Sequence, residues 1–334
     1  MSAPRPESWI RTTPAGLYVE PGGFHIDPMR MVDRAIITHG HGDHARPGND
    51  KVLATAETLA IMRARLGERA GKSLQALRYG ETVRIGEVDV RLVPAGHILG
   101  SAQVVLDWRG SRVVVSGDYK RRADPTCPPF EPVPCDVFIT EATFGLPVFR
   151  HPPDHHEIDK LLQSRALFPE RVHLVGVYSL GKCQRVLALL RQQGYQEPIY
   201  LHGAQLAMTE LYQSFGLEFG DIRPALGVPR QDLAGQILLA PPGVAADAKL
   251  PDPVIAMASG WMRVKQRAKQ ARVELPLVIS DHADWDELCR TMLEVEAPEI
   301  WVTHGNEEAL IRQASLYGLK ARALSLVGFE GDET

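Results

Sequence analysis

RAIITHGHGDH, residues 34–44, runs an apolar strand directly into a loop that places His39, His41, Asp43 and His44 within six positions. A strand ending in a short loop can turn several imidazoles and a carboxylate toward one point, as coordination of a metal ion requires. Neutral imidazole suits zinc and related first-row ions, and a carboxylate adds negative charge and can bridge ions or orient water. Gly40 and Gly42 keep the loop small and admit backbone angles closed to other residues. A lone histidine is most often a surface or core residue; four ligand-type side chains this close point to a metal site. Two later residues extend the set. His97, in PAGHILGSA, follows the strand VDVRLVP, and Asp118, in VVVSGDYK, follows SRVVV, each at a strand terminus beside glycine.

Around this loop the first third of the chain reads as short strands separated by turns: GLYVE, GGFHID, RAIITH, KVLAT, EVDVRLVPA, SAQVVLDW and SRVVVSGD. One helical stretch, Ala56 to Leu66, interrupts them, so the expectation is a sheet sandwich flanked by helices. After Glu141 the text changes to alternating helix and strand: Ile158 to Leu167, VHLVGVYS, Gln184 to Gln193, EPIYLH. That alternation marks a parallel α/β unit. Near Leu277 the strand-like text returns in LPLVISDHAD and EIWVTHGN, joined by a helix over Trp285 to Val295. These shifts predict a discontinuous domain of residues 1–145 and 275–334 around an inserted α/β domain of residues 146–274.

The 334 residues, 44% hydrophobic and 23% charged, have the composition of an ordinary globular protein. The N-terminal MSAPRPESWIRTTPAG lacks the apolar core of a secretion signal, and no later run is long enough to span a bilayer, so a cytoplasmic location and no membrane partner are expected. Cys127, Cys135, Cys183 and Cys289 form no CxxC pair and read as structural. A formal net charge of −4 supplies no global field for nucleic acid, so any such binding needs a local basic surface or the metals themselves.

The order HxHxDH, then a single His, then a single Asp resembles the metallo-β-lactamase superfamily. Later elements resemble its β-CASP nuclease branch: Glu141 in ITEATFG, His282 in SDHADW, His304 in VTHGN, YSLGKCQR at 178–185 and ASGWMR at 258–263. The resemblance runs from about Asp27 to about Glu308 and implies a metallo-β-lactamase αββα sandwich with an inserted α/β β-CASP domain. It also implies two divalent ions, zinc ahead of manganese. His39, His41 and His97 would hold one and Asp43, His44 and His304 the other, with Asp118 bridging. Asp27, in HIDP, would orient a ligand. The catalytic residues would be Asp43 together with Glu141 and His282, the last two paired on the leaving-group side. Such a set suits hydrolysis of a phosphodiester and needs no serine or cysteine nucleophile.

On substrate the motifs divide. In this branch a histidine at the position of His304 is associated with RNA enzymes, whereas Gly260 and Trp261 look like the element of the DNA enzymes. The compact arrangement is similar to the bacterial ligase-associated DNA exonucleases. That resemblance implies a DNA exonuclease acting in repair, with a DNA ligase and helicase of the same pathway as partners; an RNA-processing ribonuclease is the alternative. The intact ligand set argues against a non-catalytic binding subunit, and Glu141, His282 and LGKCQR argue against a small-molecule hydrolase. Strand-guiding candidates are Trp261, which could stack on a base, Arg263 with Lys265, Arg267, Lys269 and Arg272, and Lys120 to Arg122. Lys182, beside Gly181 at a helix start, is expected to meet a phosphate. HPPDHH, with His151, His155 and His156, reads as a surface linker, and His25, His173 and His202 as structural.

Overall fold

A computed structural model describes residues 3–244, 250 and 252–326. The chain divides into two compact units, one comprising Met1–Ala123, Cys127–Pro147 and His282–Thr334, the other Asp124–Thr126 and Val148–Asp281.

Among the described residues, the first unit holds two sheets. One orders β1 (Ile10–Thr13), β2 (Gly16–Val19), β3 (Phe24–Ile26), β4 (Arg34–Ile36), β5 (Lys51–Ala54) and β6 (Ser73–Ala76) as they occur in the chain. The other contains β7 (Thr82–Ile85), β8 (Val88–Pro94), β9 (Ala102–Trp108), β10 (Ser111–Val115), β11 (Val137–Ala142), β18 (Glu299–Gly305) and β19 (Lys320–Ala323), in the order β19-β18-β11-β10-β9-β8-β7. Strand alternation decides what lies between the sheets. Val104 and Leu106, Val113 and Val115, Val137 and Ile139, and Trp301 face inward, meeting Leu17, Val19, Phe24, Ile26 and Ile36 in one core. Their neighbours Val105, Val114, Phe138, Ile300 and Val302 face outward, under α6 (Trp285–Glu294) and α7 (Glu307–Leu316). On the opposite flank Ala35, Ile37, Val52 and Ala54 pack under Leu59 and Met62 of α1 (Ala56–Leu66). The result is the αββα sandwich of the metallo-β-lactamase fold.

Two caps set where these helices begin. Thr55 accepts the Thr58 amide at the start of α1, and Asp284 and Glu287 form a reciprocal capping box on α6. Strand direction then sets where the site lies. β8 and β10 both run antiparallel to β9, while β10, β11 and β18 pair in parallel. The carboxyl ends of β8, β10, β11 and β18 therefore share one edge, the edge where ligands collect in open sheets of this kind.

The second unit is an α/β layer. Its strands are β12 (His173–Gly176), β13 (Ile199–Leu201), β14 (Ile222–Pro224), β15 (Ile237–Ala240), β16 (Val254–Ala258) and β17 (Leu275–Leu277), in the order β14-β13-β15-β12-β16-β17. Every pairing is parallel. The segments HLVG, IYL and ILLA are buried throughout, as expected of strands covered on both faces. The helices are α2 (Asp154–Leu167), α3 (Lys182–Gln192), α4 (Gly203–Ser214) and α5 (Lys265–Gln270). HPPDHH is not a surface linker: Pro153 is the N-cap of α2, His155 and His156 form its exposed first turn, and His151 is buried. Proline at a helix start forfeits no hydrogen bond, so the Pro-rich text was a start signal. No helix of the described residues is long and apolar enough to cross a membrane.

Trp301 is fully buried between the two sheets. Replacing it with alanine should cost about 3–5 kcal/mol in urea unfolding, with the midpoint lowered and the slope unchanged. A loss under about 1 kcal/mol would show that the inter-sheet core does not rest on it.

Candidate metal centre

The centre is built outward from Asp27, at the end of β3. Its Oδ1 accepts the Thr38 amide at 2.8 Å and its Oδ2 accepts the Thr38 hydroxyl at 2.6 Å. The same Oδ2 lies 2.7 Å from His44 Nδ1. Having given its only proton to Asp27, the Thr38 hydroxyl can only accept from His39 Nδ1, 3.1 Å away. That fixes the His39 tautomer and puts the lone pair on Nε2. Burial holds His39 well below the usual histidine range, and the charges of His44, His97 and His41 push it further in the same direction. His39 Nε2 is thus a buried, neutral nitrogen with no hydrogen-bond partner, the state a metal ligand requires.

Asp118 is the hub. Its Oδ2 lies 3.4 Å from His39 Nε2, 3.8 Å from His97 Nε2 and 3.9 Å from His282 Nδ1, while its Oδ1 lies 3.5 Å from His44 Nε2. One atom each from His39, His41, His97 and Asp118 falls within 4.8 Å of the others, and so do atoms of Asp118, Glu141 and His282. His97 and His41 approach through Nε2 and Nδ1 at 3.0 Å. Ser101 sets the His97 loop, its Oγ accepting the His97 and Ile98 amides at 3.1 and 3.2 Å. The four-residue set, three imidazoles and a carboxylate around an unpartnered buried nitrogen, fits a divalent first-row ion.

Glu141, on β11, is buried and accepts the Tyr119 amide at 2.7 Å and the Thr143 hydroxyl. His282 Nδ1 stands 2.9 Å from Glu141 Oε2, so the pair read from the sequence is formed. Asp43 has a side chain 69% exposed, with Oδ2 3.9 Å from His44 Nε2. The exposed His304 ring lies 5.3 Å from that of His44, inclined at 29°. Asp43 and His304 complete no tight group of their own among the described residues. Beside them opens a cavity of about 570 Å³ whose lining includes Leu17, Ile26, Asp43, His44, Glu141 and His304.

The backbone is constrained where the ligands sit. Asp27 and His304 take φ of 44° and 53°, a region costly for non-glycine residues. Gly305 follows at φ 134°, and a Cβ there would stand 2.0 Å from the Ala142 carbonyl oxygen, so only glycine lets β18 close on β11. Arg65 Nη1 donates to Gly40 O at 2.6 Å, tying the ligand loop to α1.

Thr38, Ser101, Thr143 and Arg65 escaped the sequence reading. Each acts through hydrogen bonds to a ligand, its neighbour or its loop, and only the adjacency of Thr38 to His39 hinted at such a role. Other expectations are corrected. Lys182 does not await a phosphate: it is buried, its ammonium donating to Ile279 O at 2.7 Å and pairing with Asp281 at 3.0 Å. Lys120 is buried, donating to His97 O, while Arg121 is committed to Thr291 and Glu294, and Arg122 to Asp284 and Glu287. Those three brace the loop after Asp118 rather than guide a strand. In the second unit Arg263, Lys265, Arg267, Lys269 and Arg272 are exposed, and Trp261 is half-buried with the Arg267 guanidinium 4.0 Å over its ring. None of the four cysteines forms a disulfide.

No family model matches the chain. A protein of Opitutus terrae described as a probable DNA ligase is 30% identical over 320 residues, which cover 92% of this chain and 30% of that protein. The chain therefore spans under a third of that relative's length. A ribonuclease of Thermus thermophilus is 27% identical over 390 residues, covering 92% of this chain and 88% of that enzyme. Among solved structures, a protein of unknown function from Enterococcus faecalis superposes with a TM-score of 0.58 at 14% identity, covering 86% of this chain and 78% of that one. That likeness concerns the fold alone.

Burial lowers the affinity of His44 for a proton, yet the Asp118 and Asp27 carboxylates outweigh it and push its pKa up to about 10 from 6.5. A raised folded-state pKa contributes stability that is complete below the unfolded value and is lost as pH climbs through the folded one. Chelator-treated protein should therefore melt at progressively lower temperature between pH 6.5 and about 10. Asp27→Asn should lower the melting temperature at the acid end of that window and flatten the slope. An unchanged slope would rule out the Asp27–His44 pair as its source.

Proposed function

We propose that the chain is a nuclease of the metallo-β-lactamase superfamily, β-CASP branch, a two-metal phosphodiesterase whose substrate is DNA. The observation carrying this reading is the division of Asp118, one oxygen toward His39 and His97 and the other toward His44, with the Glu141–His282 pair alongside. His39, His41 and His97 would hold one divalent ion and Asp43, His44 and His304 the other, zinc ahead of manganese, with Asp118 serving both. When bound, such ions acidify a water and neutralise charge on the phosphodiester.

The chain's own residues account for the rest. Glu141, held by the Tyr119 amide and the Thr143 hydroxyl, accepts from His282 Nδ1–H and fixes the ring. Nε2 of His282, the nitrogen turned away from Glu141, then delivers a proton to the departing sugar oxygen, with Glu141 stabilising the imidazolium before transfer. Asp27 keeps His44 in its tautomer. In the second unit Trp261 and the exposed Arg263 supply a stacking surface and a cation for the strand.

DNA is favoured because 92% of this chain aligns with a stretch of a protein described as a probable DNA ligase. Exonucleolytic repair, with a ligase and helicase as partners, rests on the motif resemblance alone. RNA is the second reading, favoured by the ribonuclease of Thermus thermophilus, matched over 88% of its length, and by His304.

Metal-loaded protein incubated with end-labelled single- and double-stranded DNA and RNA of one sequence should degrade DNA faster, in a ladder from one end. Faster loss of RNA would reverse the substrate assignment. Asp118→Asn should abolish cleavage and lower bound metal from about two ions per chain, and His282→Ala should cost about 10²–10⁴-fold in rate with metal retained. Absence of cleavage by metal-replete protein would overturn the nuclease reading.

A further inference from the structure

The residues just before His282 belong to no strand, since β17 ends at Leu277, yet all four are buried. Each is held by a side chain of the second unit. Glu157 Oε2 accepts the Val278 amide at 2.8 Å, and Lys182 Nζ donates to Ile279 O at 2.7 Å. Arg185 Nη1 donates to Ser280 O, and Asp281 Oδ1 receives both Lys182 at 3.0 Å and Arg185 at 3.2 Å. Arg185 is fully buried, and its other nitrogens meet Asp154 and Asp124. Gln184 caps the same helix start, its Oε1 accepting the Gly181 amide at 2.9 Å. Lys182, Gln184 and Arg185 of YSLGKCQR thus lie behind the segment that ends at Asp281, one peptide bond from His282.

Buried ion pairs are a poor source of stability, because desolvation offsets most of the attraction; what they supply, where they supply anything, is a unique geometry. Here two cations on α3 grip three consecutive residues through two carbonyls and a carboxylate. We propose that Arg185, with Lys182, is a positioning residue for His282: the clamp fixes the backbone leading into it, so that its ring meets Glu141 with Nε2 directed at the leaving oxygen. The inference rests on the proton-donor role proposed for His282. In that step a water oxygen bonds to phosphorus and gives up its proton to solvent as the P–O bond to the leaving sugar breaks, the proton passes from Nε2 to the departing oxygen, and the imidazole ends neutral, to be reprotonated from solvent.

Leaving-group dependence separates positioning from general damage. A p-nitrophenolate departs without a proton, whereas a sugar alkoxide needs one. Arg185→Met, Lys182→Met, His282→Ala and the parent enzyme are compared, metal-loaded, on a labelled oligonucleotide and on thymidine 5′-p-nitrophenyl phosphate, with metal content measured for each. Arg185→Met should lose about 100-fold in kcat on the oligonucleotide, keep its KM and metal, and turn over the nitrophenyl ester within about threefold of the parent. Arg185→Lys, which keeps charge but not the fork, should recover part of the loss. If Arg185→Met does not fold, the doubly substituted Arg185→Met/Asp154→Asn protein, which removes one charge of each sign, and Lys182→Met carry the test. Equal losses on both substrates, or no loss on the oligonucleotide, would overturn the positioning role. If His282→Ala itself shows no preference between the substrates, the donor role of His282 fails first and this inference with it, while metal-dependent cleavage by the parent enzyme would stand.

Discussion

A buried carboxylate among imidazoles is the constraint on which the first unit turns. Asp118 is 6% exposed and faces His39, His44, His97 and His282. Burial alone would push its carboxyl toward the neutral form, but the charges of His44, His282 and His41 hold it below the usual aspartate range. Burial, with the charges of His44, His97 and His41, moves His39 well below the usual histidine range, toward its neutral form. One cluster therefore keeps an anion beside a deprotonated nitrogen, a combination that attracts a cation. Removing any member leaves buried charge or an unsatisfied donor behind, so the cluster is satisfied only as a whole.

The sandwich delivers these groups with little freedom. Because β8, β10, β11 and β18 point the same way, His97, Asp118, Glu141 and His304 emerge at one edge although His304 lies more than two hundred residues after His97 in the chain. β4 of the facing sheet adds the loop with His39, His41, Asp43 and His44. Strained backbone at Asp27 and His304 is tolerated because neighbouring elements over-determine it: Asp27 is fastened to Thr38 and His44, and His304 sits between paired strand and Gly305.

How much of this was legible in the sequence follows from the range of each interaction. The ligand loop, His97 and Asp118 could be read because each is a chemically loaded residue at the end of an apolar strand, and strand ends are a local property; the Glu141–His282 pair came only from the resemblance. The sandwich could be read because Val113, Val114 and Val115 announce a strand buried on both faces. Lys182 could not. A lysine beside a glycine at a helix start looks the same whether it faces solvent or a carbonyl 97 positions later, and only the fold supplies Ile279 O. The same blindness covers Lys120 to Arg122, where clustered positive charge suggested a surface and the partners, Glu287 and Glu294 among them, were far away in the chain. HPPDHH failed for a different reason: proline and histidine were weighed by composition, whereas proline at a helix start is a positional signal.

The two units handle buried charge differently. In the first, buried polar groups converge on an unpartnered nitrogen, His39 Nε2, and the cluster is open toward a ligand. In the second, Arg185 and Lys182 are met by Asp124, Asp154, Asp281 and backbone carbonyls, and the network closes on the chain itself. An open cluster reads as chemistry and a closed one as structure, and the distinction matters because composition cannot make it: YSLGKCQR and THGHGDH are both dense in polar, ligand-type residues. The deciding quantity is whether each buried charge finds its counter-charge, and each buried lone pair its donor, inside the protein. At Arg185 the chain supplies the counter-charges, Asp124, Asp154 and Asp281; at His39 a buried acceptor nitrogen meets no donor, and that missing bond is what marks the metal centre.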